Sequence, residues 1–203
     1  MYSLPTSVTT KDGTTYHITN NGDFRVVLNC FTACNDMDLE SEDEQILASL
    51  LIFYNEFNDF DDVVTLKPDT LEELTKFMFD FFNCGQPEDR IGANTHKKLI
   101  DWQDDEMLIV SAINNVAHTE VRALEYLHWW TFMGYYLAIG ESVLSTVVGI
   151  RDKITKGKKL EDYEKEFKRD NPEYFIWNSK TREDKEAEEY VNAVWGRREY
   201  GEK

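Results

Sequence analysis

Apolar positions recur at helical spacing along most of this chain and alternate with polar ones in a single stretch. Over 22–35, Phe24, Val27, Leu28 and Phe31 stand at i, i+3, i+4 and i+7, the stripe of a helix with one buried face. Ile46, Leu47, Leu50, Leu51, Tyr54 and Phe57 predict a second helix over 41–57, with Ser41 and Glu44 at capping-box spacing. Leu74, Phe77, Met78 and Phe81 predict a third over 70–83, with Thr70 and Glu73 as its capping box and Gly85 as its stop. Between them, NDFDD and the residues up to Pro68 read as a loop. A fourth helix over 101–117 has Met107, Val110, Ile113 or Asn114, and Ala117 on its expected buried side, and its acidic first turn complements the helix dipole. Residues 142–154, with Leu144, Val147, Val148, Ile150 and Ile154, form another. The alternating stretch is 1–20, where β-forming residues flank Asp12-Gly13, a hairpin signal.

One segment departs from the one-faced pattern. From 126 to 139 nearly every residue is apolar or aromatic, so a helix there has no solvated face. The run is too short for the roughly 18–20 residues of a membrane span. It predicts a central helix over about 122–139 with neighbours all round, Gly134 and Ala138 letting one of them come close. The fold class that follows is mainly α: a helical bundle around this apolar helix, with a small N-terminal β-hairpin. The expected organisation is a hairpin over 1–20, a helical core over 21–170 and a charged helical extension over 171–203. The extension holds a helix at about 180–200 with a narrow seam of Ala187, Tyr190, Val191, Val194 and Trp195. Residues 86–100 read as a polar loop, and 159–170 as a short charged helix.

The formal net charge of −17 changes the picture of partners. Binding to nucleic acid is dominated by lysines and arginines that neutralise phosphates, so this charge argues against it, and against docking on anionic membranes. Three cysteines, an odd and low number, fit a reducing compartment, and the N-terminus lacks the basic-then-apolar pattern of a signal peptide. The expected location is therefore cytoplasmic. Cys30 and Cys34, four apart, read as small core residues.

Sites of chemistry are sparse. The chain has no glycine-rich phosphate loop, no GxSxG, no HExxH and no CxxC. The acidic run Asp36, Asp38, Glu40 lacks the glycine and terminal glutamate of a calcium loop. No catalytic residue, metal or cofactor is expected. Arg122 and His128 do stand at the R-x5-H spacing with which HEPN-type ribonucleases hold a cleaving phosphate. Ala123 replaces the polar residue that family places after its arginine, and the net charge repels RNA. His128 reads instead as a satisfied core histidine. Arg151, closing an apolar segment, calls for an ion-pair partner, with Glu125 and Glu141 as candidates.

The order DFRVVL (23–28), DWQDDEMLIVSAI (101–113), LEYLHWWTF (124–132) and VVGIR (147–151) resembles the Gp-fifteen-type tail-module proteins of long-tailed phages and prophages of Gram-positive bacteria. The opening LPTSVTTKDGTTYHITN resembles that family's first strand pair. The likeness covers about 4–170, with the LHWW-F segment and the following I-R as its most specific part. The resemblance implies a tail assembly chaperone, non-enzymatic and without cofactor, working in the host bacterial cytoplasm. Its implied partner is the tape-measure protein, and the major tail protein is a second. A virion structural subunit is the alternative, ahead of a HEPN-type ribonuclease. The contact residues this role would use are surplus aromatics: Phe79, Phe82, Trp129, Trp130, Tyr135 and Tyr136. Phe79 and Phe82 are expected to be exposed, and Trp129 and Trp130 to serve mainly the core. Oligomeric state is left open.

Overall fold

The computed structural model describes residues 3–35, 39, 41–86 and 99–176. The expected helix at about 180–200, most of the 86–100 loop and the acidic run after Asn35 lie largely outside the described residues. The chain divides into two compact units between Lys158 and Lys159. As expected from the periodicity, it is mainly helical with a small N-terminal hairpin.

In the first unit, strands β1 (Ser7–Thr9) and β2 (Thr15–His17) pair antiparallel with Val8 opposite Tyr16. The helices are α1 (Phe24–Cys34), α2 (Glu42–Phe53), α3 (Phe60–Val64), α4 (Pro68–Phe82), α5 (Glu106–Ala117), α6 (Trp129–Leu137) and α7 (Val143–Thr155). In the second unit, α8 (Asp162–Asp170) starts with a Glu161–Glu164 capping box, and Phe167 packs on Tyr174 and Phe175 of a following 3-10 turn.

A two-stranded hairpin is marginal alone, and side chains of the helical layer hold this one. The Lys11 backbone N–H donates to Glu73 of α4 at 2.9 Å, and the Lys11 ammonium meets the same carboxylate at 3.0 Å. The His17 N–H donates to Glu56. Ile18 continues β2 into a bridge with Tyr54, whose hydroxyl donates to the Leu74 carbonyl at 2.9 Å. These contacts explain two departures from the sequence pattern. The 41–57 helix ends at Phe53 because Tyr54 is drawn into extended backbone opposite Ile18. The expected Thr70–Glu73 capping box does not form: α4 begins earlier, with Pro68 in its first turn, and Glu73 is spent on the hairpin. A third departure is α3, where a loop was expected; Asp59 caps it by accepting from the Asp62 N–H.

The apolar segment differs most from expectation. Its helix covers Trp129–Leu137, not 122–139. Residues 121–123 form a 3-10 turn, and 124–128 are not helical. The cause is Asp23, buried at the start of α1. Its carboxylate accepts from the Arg25 N–H, capping α1, and from the Leu127 N–H at 2.9 Å, while the Phe24 N–H donates to the Leu127 carbonyl. The Arg25 guanidinium donates to the carbonyls of Arg122 and Leu124. A helix through 124–127 would have to give up all of these bonds. Nor is α6 enclosed on all sides. Trp129 and Phe132 are buried, but Leu137 is 77% exposed, and a Cβ built on Gly134 would meet nothing within 4 Å. Thus Gly134 does not mark a close approach.

The core is aromatic. Phe24 stacks on Phe132 at 4.5 Å, Trp129 lies against Phe31, Trp102 and Phe132, and Phe53 is edge-on to Phe81 and Phe82. Such pairs contribute beyond their buried area. Arg151 is buried, and its partner is Asp105, at 2.7 and 2.9 Å, not Glu125 or Glu141. Asp101 meanwhile accepts the N–H groups of Gln103 and Asp104, so the acidic run forms a turn and the helix itself starts at Glu106.

Gly22 sits where α1, α4 and the 124–128 segment converge. Its φ is +79°, and an added Cβ would lie 2.6 Å from the Phe81 ring and 3.2 Å from His128 Nε2. Both the backbone conformation and the space demand glycine. Gly22→Ala is expected to destabilise by more than about 1 kcal/mol, measured by denaturant unfolding.

Candidate partner-binding groove

Helix α4 carries two apolar faces. Thr70, Leu74, Met78, Phe81 and Phe82 face inward and are buried. Pro68, Leu71, Thr75 and Phe79, at spacings of three and four, form the other row. This second row, with Ile46 and Leu47 of α2, lines an open groove of about 1020 Å³. Leu71, Ile46 and Leu47 are half-buried, and Phe79 is 36% exposed, held edge-on against Phe82 at 5.9 Å. Three carboxylates, Asp43, Glu72 and Asp80, and one ammonium, Lys76, line the same groove. None of these three carboxylates makes a hydrogen bond or ion pair through its side chain among the described residues.

The position of α4 is fixed at its C-terminal end, where four carbonyls lack helical partners. The Phe79 and Asp80 carbonyls are taken by the N–H groups of Asn83 and Gly85. The Phe82 carbonyl accepts from the Trp129 indole N–H at 2.9 Å, and the Phe81 carbonyl, which also takes the Cys84 N–H, from that of Trp130 at 2.9 Å. The paired tryptophans thus serve as donors that close the helix bearing Phe79. Gly85, expected as the stop, has φ +67° and lies under the Trp130 ring.

The six expected contact aromatics therefore separate. Phe79 lines the groove. Phe82 is 7% exposed and belongs to the core, contrary to its expected exposure, because α1 and α2 cover it with Phe31 and Phe53. Trp129 is 1% exposed and in the core as expected; Trp130, Tyr135 and Tyr136 are half-buried. Pro68, Leu71 and Thr75, and the solvent-facing part of Ile46 and Leu47, were not singled out from sequence. The available signal was the width of the apolar stripe in QILASLLIF, more than one buried face requires.

A second cleft, of about 450 Å³, lies over Phe24, Leu28, Trp102 and Phe132, with Arg25, Glu106 and Arg122 on its rim. Both its arginines are paired with carboxylates, Arg25 with Asp23 at 3.1 Å. Arg122 binds Glu120 at 2.9 Å and Glu106 at 3.4 Å, and the neighbouring guanidinium holds the Glu120 carboxyl at about 2. Arg122 and His128 are not brought together on one site. Arg122 is exposed among these acids, whereas His128 is buried: its Nδ1 accepts the Trp130 N–H, capping α6, and its Nε2 lies 3.0 Å from the Pro5 carbonyl. An Nδ1 that accepts leaves the proton on Nε2, so the ring is neutral and both nitrogens are used. It is the satisfied core histidine that the sequence predicts.

Burial lowers the His128 pKa from the ordinary imidazole value, with the Pro5 carbonyl and the Asp23 charge opposing. The unfolded chain then binds the extra proton first on acidification. This contribution is complete above the ordinary value of 6.5 and is lost as pH falls below it. The expected result is a melting temperature that declines below about pH 6.5. His128→Asn, which keeps a capping oxygen but does not titrate, removes that part of the decline in thermal melts.

The cysteines pack as small core residues. Cys30 is buried with its thiol pKa pushed up by burial, and Cys34 Sγ lies 3.0 Å from the Ser49 hydroxyl. Burial also raises Cys84, to about 11. Native Cys84 is therefore expected to alkylate slowly at pH 8, timed by mass spectrometry against the unfolded chain.

Among the described residues no helix is long and apolar enough to cross a membrane, and no group of His, Cys, Asp and Glu is arranged to hold a metal ion. The family model described as Bacteriophage Gp15 protein matches residues 3–175 of the chain. No curated protein and no solved structure matches it.

Proposed function

The chain belongs to the Bacteriophage Gp15 protein family, and from that premise we propose that it is a tail assembly chaperone, a non-enzymatic protein of the host cytoplasm that holds the tape-measure protein until the tail tube forms around it. The observation that carries this reading is the open apolar groove between α2 and α4 on a chain of net charge −17. A long helical partner with apolar stripes aggregates unless the stripes are covered. A groove of this kind can take one helical face, with anchors at i, i+3, i+4 and i+7. The surrounding negative charge then keeps the complex dispersed. The major tail protein, which must reach the same tape-measure protein, is a second partner under this reading.

Co-expression with the tape-measure protein tests it. Wild type is expected to raise the soluble yield of that protein and to co-purify with it. Phe79→Ser, at a position already a third exposed, is expected to abolish co-purification while shifting stability by less than about 1 kcal/mol. Unchanged co-purification by this variant would remove the groove from the account. Recovery of the protein in purified phage particles would favour a virion subunit instead.

A further inference from the structure

The charged residues around the groove are arranged in a pattern that specifies what it accepts. Along α4, Glu72, Lys76 and Asp80 follow one another at intervals of four, so their side chains lie in one row on a helix of 3.6 residues per turn. Asp43 stands on the α2 side. The row reads negative, positive, negative, and its outer carboxylates are about 12 Å apart at 1.5 Å per residue.

Several other carboxylates of the first unit hold a cation. Glu73 holds Lys11, Glu56 holds His17, Asp105 holds Arg151 and Glu120 holds Arg122. The groove carboxylates hold no side chain among the described residues. They are not needed to fasten the helices, and like charges beside an apolar groove oppose occupation by an acidic segment.

Resting on the reading that the groove holds a partner, the geometry points to an amphipathic helix with lysine or arginine seven or eight residues apart along the edge of its apolar stripe. The apolar row from Pro68 to Phe79 runs over eleven helical steps, about 16 Å, so three turns of partner helix cover it. The partner's two cations meet Glu72 and Asp80, and an acidic or neutral residue between them meets Lys76. Asp43 adds attraction from the opposite wall. Because the row reads the same from both ends, its charges do not select the direction of the bound helix. The apolar anchors supply the bulk of the affinity, and the rim excludes helices of the wrong charge.

The experiment uses the full chain and two synthetic fluorescent peptides. Both carry the same three-turn apolar stripe; one is flanked by lysines seven apart and the other by glutamates. Fluorescence anisotropy is expected to give the lysine peptide about tenfold tighter binding at low salt, shrinking towards equality at 1 M salt. The triple reversal Asp43→Lys, Glu72→Lys, Asp80→Lys is expected to invert the preference. Its folding is checked by thermal melting, and the peptide swap on the wild-type chain supplies the answer independently. Equal binding of both peptides by wild type, or a preference unchanged in the reversal, overturns the charge rule. Phe79→Ser separates the two levels. Loss of both peptides with no charge preference leaves the groove standing and discards the rule; full binding by Phe79→Ser discards both. A concentration-dependent dimer in sedimentation that is lost in Phe79→Ser would make a second copy the occupant and likewise overturn the inference.

Discussion

Trp129→Ala is expected to lower the unfolding free energy by about 4 kcal/mol, near the upper range for a single core truncation. Trp129 is 1% exposed and touches Phe31, Trp102 and Phe132, so alanine leaves a cavity walled by rigid rings that cannot collapse into it. The substitution also removes the indole N–H from the Phe82 carbonyl, leaving a buried acceptor at the end of α4. In a folding unit of this size the loss corresponds to a fall in melting temperature of roughly 8–16 °C. Trp129→Phe separates the two effects, because it restores much of the volume and none of the hydrogen bond. Calorimetry of the three proteins measures them. A shift below about 1 kcal/mol for alanine would show that this residue does not hold the core together.

The second large effect is expected at the buried ion pair. Asp105→Ala should cost about 3 kcal/mol or more, because Arg151 stays buried without the carboxylate that meets two of its nitrogens. The substitution also removes an acceptor from the Asp101 N–H and so loosens the turn that starts α5. The Arg151 guanidinium, through its bond to the Leu99 carbonyl, ties the residues just before this turn to α7. The pair specifies where α5 and α7 meet; its net contribution to stability is small, since two charges had to be dehydrated to form it. The double variant Asp105→Leu, Arg151→Met is accordingly expected to be more stable than Asp105→Ala alone. Denaturant unfolding of the cycle measures this, and strict additivity of the single losses would contradict it.

The elements with local causes were legible in the sequence. Ser41 caps α2, Gly13 turns the hairpin and Gly85 follows α4, each through bonds within a few residues. Elements shaped by distant partners were not. Nothing near 124–127 says that Asp23, a hundred residues earlier, will hold that stretch out of the helix and shorten it. The partner of Arg151 lies 46 positions upstream, beyond any helical spacing. Glu73 looks like a capping residue until the hairpin loop is placed beside it.

The candidate site follows the same division. An excess of aromatics on the third helix was visible, but Phe79 and Phe82 are three apart and alike in composition. Only the packing of α1 and α2 decides that Phe82 is covered and Phe79 lines a groove. The tryptophan pair was rightly assigned mainly to the core for Trp129. Its second role, donating to the last carbonyls of α4, requires knowing which helix end it meets.

The most direct test of the account is contact between the groove and its partner during assembly. A photo-crosslinking phenylalanine analogue placed at Phe79, in cells co-producing the tape-measure protein, is expected to yield a crosslinked product of the two chains. The same analogue at Met107, which is 68% exposed on α5 and not on its buried side as the spacing suggested, is expected to yield none. A crosslink from position 107 and none from 79, or none from either in a complex that still co-purifies, would contradict it.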